Sequence, residues 1–105
     1  METRRALALT EKRLADDPRI DEIASAIGLT SRSLARRFAE ELGMTWSAAL
    51  RRMRVLRAIE MLAADDASVT TIAMRVGYSS LSAFQAAFSE LTAKTPTEYR
   101  RGFAP

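Results

Sequence analysis

The 105-residue chain contains no cysteine and no histidine. Without thiols there are no disulfides and no thiolate metal sites, and without imidazole the commonest transition-metal ligand is missing too. Cys-His and Ser-His nucleophilic catalysis fall with them. Serine, aspartate and lysine remain, but in no constellation that would position a reacting group, so neither an enzyme nor a metal or cofactor site is expected. No apolar run approaches the roughly 18 residues that a membrane span needs, and Met1-Glu2-Thr3-Arg4-Arg5-Ala6-Leu7-Ala8-Leu9 is too briefly apolar for a secretory signal. A cytoplasmic protein that does not engage membranes is the expectation. No stretch alternates polar and apolar residues with period two, which argues against strands.

What the chain does have is helical. Alanine and leucine are abundant, and apolar residues recur at spacings of three and four nearly throughout, a pattern that predicts an all-α fold. The length suits one domain, residues 1–105, which at this size buries about two-thirds of its unfolded surface. Net charge is only +3, but residues 31–57 carry seven arginines against Glu40 and Glu41, whereas residues 1–30 and 58–105 each sum to −1. A local positive field of this kind suits a phosphate-facing surface.

One motif occurs twice. Ile23-Ala24-Ser25-Ala26-Ile27-Gly28-Leu29-Thr30 returns as Ile72-Ala73-Met74-Arg75-Val76-Gly77-Tyr78-Ser79. Each copy reads as a short amphipathic helix, a glycine turn and a capped second helix. The offset is 49 residues from Gly28 to Gly77 but 50 from Phe38 to Phe88, so one copy carries an extra turn residue. A helix-turn-helix pair displayed twice in a small basic chain points to a reader of duplex DNA.

About seven helices follow, arranged as two helix-turn-helix subdomains, about 20–42 and 69–92, joined by a linker helix of about 46–63. The first helix, about Arg4 to Asp16, points Leu7, Leu9 and Leu14 inward and stops at Asp17-Pro18. Gly28 ends the second in a left-handed conformation, Thr30 caps the third and Gly43 closes it. The linker helix is about 27 Å long. It offers Trp46, Leu50, Met53, Leu56, Met61 and Leu62 to the core. Its Arg51, Arg52, Arg54 and Arg57 are either phosphate contacts or a solvated face. Ser68 caps the fifth helix and Ser79 the sixth, and Pro96 opens a terminal turn. Residues after Arg101 are expected to be loose.

In the third helix Leu34, Phe38 and Leu42 face inward, which throws Arg32 and Arg36 outward with Arg37 on the flank. A guanidinium fork pairs in bidentate fashion with O6 and N7 of guanine, while Arg37 suits phosphate better. The competing reading is a solvated surface, with Arg36 paired to Glu40. In the sixth helix Phe84 and Phe88 face inward, leaving Ser82 and Ala86 opposite, Gln85 beside them and Leu81 in the first turn. Gln85 would read adenine, and Leu81 or Ala86 thymine methyls. Because Ser79 to Thr92 hold no basic residue, a structural copy that touches DNA weakly stays open for this helix. Backbone N–H groups near Ser79 and Ser80 suit a phosphate.

The run Ile72-Ala73-x-x-x-Gly77-Tyr78-Ser79-x-x-Ser82-x-Phe84-x-x-x-Phe88, followed by Thr95-Pro96-x-x-Tyr99-Arg100, resembles the DNA-binding domain of AraC/XylS-type transcription regulators. The resemblance extends from about residue 5 to 101. It implies that the third and sixth helices enter successive major grooves on one face of the duplex, about one helical turn or 34 Å apart. In the family's pattern base contacts fall four, seven and eight residues after the first glycine, here Arg32, Ala35 and Arg36. After the second glycine they fall on Leu81, Ser82, Gln85 and Ala86. Phosphate contacts are expected from Thr30, Ser31, Arg37, Ser79 and Ser80. The implied function is sequence-specific double-stranded DNA binding at an operator or promoter, as a transcriptional regulator, with RNA polymerase as a further partner. With both reading heads in one chain, a monomeric domain suffices.

Three positions depart from the family's pattern: Arg19 stands where a capping serine or threonine is usual, Ala49 where an aromatic is, and Ala93 where glycine is. Alanine resists positive φ, so Ala93 weighs against a bend between Phe88 and Pro96. The rival function is a helical interaction module docking an acidic partner through its arginines. RNA binding is weaker, because the outward faces lack aromatics on which unpaired bases stack.

Overall fold

A computed structural model of the protein describes residues 2–102, and the described residues form seven α-helices and no strand. In chain order these are α1 (Glu2–Lys12), a 3-10 turn (Leu14–Asp16), α2 (Ile20–Ala26), α3 (Ser31–Leu42), α4 (Trp46–Ala64), α5 (Val69–Arg75), α6 (Leu81–Thr92) and α7 (Pro96–Arg101). The all-helical expectation and the two helix-turn-helix pairs, α2–α3 and α5–α6, hold. Two compact units divide within α4, the first ending at Arg51 and the second beginning at Arg52. No helix among the described residues is long and apolar enough to cross a membrane. The loose tail foreseen after Arg101 lies, Gly102 apart, outside the described residues.

The two glycine turns are the same object. The N–H of Leu29 donates to Ala24 O at 2.9 Å and that of Gly28 to Ser25 O at 3.1 Å; Tyr78 donates to Ala73 O and Gly77 to Met74 O at the same two distances. This crossed pair of bonds needs a left-handed residue between the helices, and Gly28 (φ 78°) and Gly77 (φ 105°) supply it. Each second helix then starts on a hydroxyl: Thr30 Oγ1 accepts from Ser33 N–H and Ser80 Oγ from Ala83 N–H, both at 3.1 Å. Here the sequence reading is corrected. Ser80, not Ser79, caps α6, because the extra residue that lengthens the repeat offset to 50 sits between Gly77 and the cap. Ser68 caps α5 as foreseen, its Oγ accepting from Thr71 N–H at 3.1 Å.

The first unit closes around Ala6, Leu14, Ile23, Ala24, Leu34, Phe38, Trp46, Ala49 and Leu50, all buried. Its α1 face differs from the expectation: Thr3, Ala6 and Thr10 are buried, while Leu7 and Leu9 are only half-buried. Of the two buried hydroxyls, Thr10 Oγ1 is satisfied, donating to Ala6 O at 2.7 Å and accepting from Trp46 Nε1 at 3.0 Å, whereas Thr3 Oγ1 has no hydrogen-bond partner. α1 also ends four residues early, at Lys12. A 3-10 turn follows and Asp17 takes a left-handed conformation (φ 52°) before Pro18.

The second unit packs Val55, Ala58, Leu62, Ile72, Ala73, Val76, Phe84, Ala87 and Phe88 into one cluster. Aromatic contacts run through it, tilted from Tyr78 to Phe84 at 5.5 Å and from Phe84 to Phe88 at 5.6 Å, and edge-to-face from Phe88 to Tyr99 at 5.4 Å. Two leucines expected inside are not: Leu56 is 60% exposed and Leu42 39%. Leu56 lies about 100° around the helix from the row Val55, Ala58, Leu62 that faces the core. Leu42 is the last residue of α3, where Gly43 turns the chain away. Ala93 does adopt the bend that its side chain disfavours, at φ 63°, ψ 17°. Arg19 begins α2 without a side-chain cap; its own N–H instead donates to Glu22 Oε1 at 3.0 Å.

Candidate nucleic-acid interface

α3 is held by its inner side. Leu34 and Phe38 are fully buried, and at 100° per residue that leaves Arg32, Ala35 and Arg36 exposed within an arc of about 100°. Among the described residues neither Arg32 nor Arg36 joins an ion pair, so the pairing of Arg36 with Glu40 is absent. Two guanidinium forks one helical turn apart thus stand in solvent with all their donors available. Arg37 is placed differently. It is half-buried, with Nη1 3.4 Å from Glu2 Oε1 and Nε buried without an acceptor. A phosphate at this flank competes with Glu2 for the same group.

α6 presents the same outline with other chemistry. Phe84, Ala87 and Phe88 are buried, and Leu81, Ser82, Gln85 and Ala86 are all exposed. The face is neutral, made of methyl groups, one hydroxyl and one amide. Both helices begin with backbone N–H groups that have no partner inside the helix, and the hydroxyl caps satisfy one of them each. The rest of each first turn is open to an anion beside Thr30 and Ser31 on one unit and Ser79 and Ser80 on the other; Thr30, Ser79 and Ser80 are exposed and Ser31 half-buried.

The α4 arginines separate into different roles that their sequence left open. Arg54 lies over the Tyr78 ring, 5.3 Å from its centroid, half-buried, with Nε buried and lacking an acceptor. It therefore braces the residue that follows the Gly77 turn. Arg57 approaches Glu60 at 3.7 Å and Arg52 is exposed. Arg100 had no role assigned from the sequence. Its Nη2 donates to Asp65 O at 3.2 Å and its Nε lies 3.4 Å from Leu62 O, closing the carbonyl end of α4. The Tyr99-Arg100 pair in the terminal motif was the available signal: one partner edges onto Phe88 and the other caps α4.

Glu98 is held below its ordinary carboxyl pKa, chiefly because its carboxylate accepts the Thr95 N–H, then by the Thr95 side chain. That bond, at 2.9 Å, and the return bond from Glu98 N–H to Thr95 Oγ1 at 3.1 Å make a capping box at the start of α7. Among the described residues no group of three or more acidic side chains is gathered where a metal ion would be held.

A family model described as a helix-turn-helix domain matches residues 23–102. The HTH-type transcriptional activator RhaS of Escherichia coli is 33% identical over 96 residues, covering 91% of this chain and 34% of RhaS. This chain thus spans about a third of the length of the curated relatives it matches. A transcriptional regulator from Chromobacterium violaceum, of the AraC-type DNA-binding domain-containing proteins, superposes with a TM-score of 0.94 at 28% identity, over 98% of this chain and 92% of its own. The DNA-binding domain of AdpA, a global transcriptional factor solved in complex with a target DNA, superposes with a TM-score of 0.88 at 26% identity, over 96% and 91%.

Proposed function

Because this chain belongs to the AraC/XylS-type helix-turn-helix family, a family of transcription-regulator DNA-binding domains and not of enzymes, we propose that it binds double-stranded DNA sequence-specifically and serves a transcriptional regulator. α3 and α6 are the reading helices. Arg32, Ala35 and Arg36 meet base edges in one half-site, and Leu81, Ser82, Gln85 and Ala86 in another. Thr30, Ser31, Arg37, Ser79 and Ser80 hold flanking phosphates. With both helices in one chain, a monomer engages an asymmetric site. The setting is the cytoplasm, at operator or promoter DNA, with RNA polymerase as a protein partner; the activator function of RhaS supports that extension.

One observation carries the proposal. Two arginines sit on the outer face of a capped second helix, exposed and free of any carboxylate among the described residues. Arg4, Arg5, Arg13, Arg52 and Arg101 are exposed and outside the described ion pairs too, so what singles out Arg32 and Arg36 is their place, one helical turn apart on the outward face of the second helix of a helix-turn-helix pair, where a free fork reaches O6 and N7 of guanine. The test is a salt titration on a selected duplex and on random duplex. If about five phosphates are neutralised, log affinity falls with log salt at a slope near −4.5. A flat titration removes the nucleic-acid role.

A further inference from the structure

We infer that α3 and α6 read opposite base chemistry through the same helical positions, so that the preferred DNA is a composite of a guanine-read half-site and a thymine/adenine-read half-site. The inference rests on the DNA-binding reading above and specifies its substrate. Its ground is the cap register. Counting from Thr30 and from Ser80, whose hydroxyls make the same bond at the same 3.1 Å, Arg32 corresponds to Ser82, Ala35 to Gln85 and Arg36 to Ala86. The register continues to the far ends, where Gly43 (φ 66°, ψ 22°) and Ala93 (φ 63°, ψ 17°) are the same left-handed stop. Wherever α3 presents a guanidinium, α6 presents a small side chain; where α3 has only a methyl, α6 has an amide.

The base chemistry follows. Arg32 and Arg36 are four residues apart, about 6 Å along the helix. Against about 3.4 Å per base pair, that sets the two guanines about two base pairs apart. α6 carries no basic residue, so it discriminates through Gln85 on N6 and N7 of adenine and through Leu81 and Ala86 on thymine methyls. Leu81 is 36% exposed at the first position of the helix, so part of its apolar surface faces outward. Exchanging the half-sites between the helices leaves arginines opposite methyl groups, so the composite has a fixed polarity.

The test uses duplexes selected from a random pool, with chemically altered bases in the winner. In the wild-type protein, 7-deazaguanine, which lacks N7, weakens binding only in the guanine half-site. Deoxyuridine for thymine, which removes the methyl, weakens it by about fourfold per contact only in the other. The double variant Ser82→Arg, Ala86→Arg converts the second half-site to guanine preference, each bidentate contact discriminating about 5- to 150-fold. Selection of two guanine-rich halves, failure of the Ser82/Ala86 pair to convert the second half-site, or indifference to both altered bases overturns the inference while leaving DNA binding intact. Absence of salt-dependent duplex binding overturns the reading beneath it. Circular dichroism melting shows that the double variant folds, and the altered-base arms need no variant.

Discussion

Exchanging the two helix stops gives a matched pair of stability changes of opposite sign. Ala93 holds φ 63°, ψ 17° with its N–H donating to Ser89 O at 2.8 Å, and its methyl group is exposed. A residue with a Cβ in this region carries roughly 1–2 kcal/mol of strain. Ala93→Gly relieves it and loses no packing, but the freer unfolded chain takes back about 0.4–1 kcal/mol. The net expectation is stabilisation by about 0.5–1 kcal/mol. Gly43, at φ 66°, ψ 22°, is the mirror case: a Cβ there meets nothing within 4 Å, so Gly43→Ala costs backbone strain alone, about the same amount with the other sign. For a domain of this size such changes move Tm by about 2–8 °C. Thermal and urea melts followed by circular dichroism, with Trp46 fluorescence for the first unit, measure both. A drop in stability for Ala93→Gly, or shifts of the same sign for the two variants, refutes the reasoning.

Three further outcomes are expected. Thr10→Val keeps the shape but removes the acceptor of the buried Trp46 Nε1–H, so it destabilises the protein by about 1–3 kcal/mol in urea unfolding, and an unchanged midpoint contradicts that bond. Because the Glu98 pKa is lower folded than unfolded, its contribution to stability is present above the ordinary glutamate pKa and lost as pH falls through the folded value. Glu98→Gln therefore flattens the acid limb of a melting-temperature profile, and a limb as steep as wild type's shows that the capping box does not titrate in that range. Arg36→Ala should lose roughly 1–3 kcal/mol on its selected duplex and much less on random duplex in competition binding; equal losses on both remove base readout by Arg36.

Much of this fold was legible from spacing. The glycine turns, the Thr30 and Ser68 caps and the inner rows Leu34–Phe38 and Phe84–Phe88 follow from period and turn chemistry, which are local properties. The misplacements occur where a local pattern does not determine the partner. Amphipathicity gives a helix an inner face but not its centre, so Thr3, Ala6 and Thr10 displaced Leu7 and Leu9, and Val55 displaced Leu56. Ser79 and Ser80 are equally good caps by residue type, and only the 50-residue offset from Phe38 to Phe88, already present in the sequence, selects the second. Ala93 shows context overriding propensity: the bonds around the stop hold alanine where glycine is at ease. The contacts of Arg37 with Glu2, Arg54 with Tyr78 and Arg100 with α4 join residues 24 or more positions apart, which no periodicity reports.

Titrating the isotopically labelled chain with its selected duplex, and following every backbone amide by NMR, locates the DNA on the protein directly. Perturbations centred on residues 30–36 of the first unit and 80–86 of the second are expected, with the side-chain signals of Arg32, Arg36 and Gln85 among those that move. Shifts confined to other surfaces, or to one of the two helices, contradict the claim that both read the duplex.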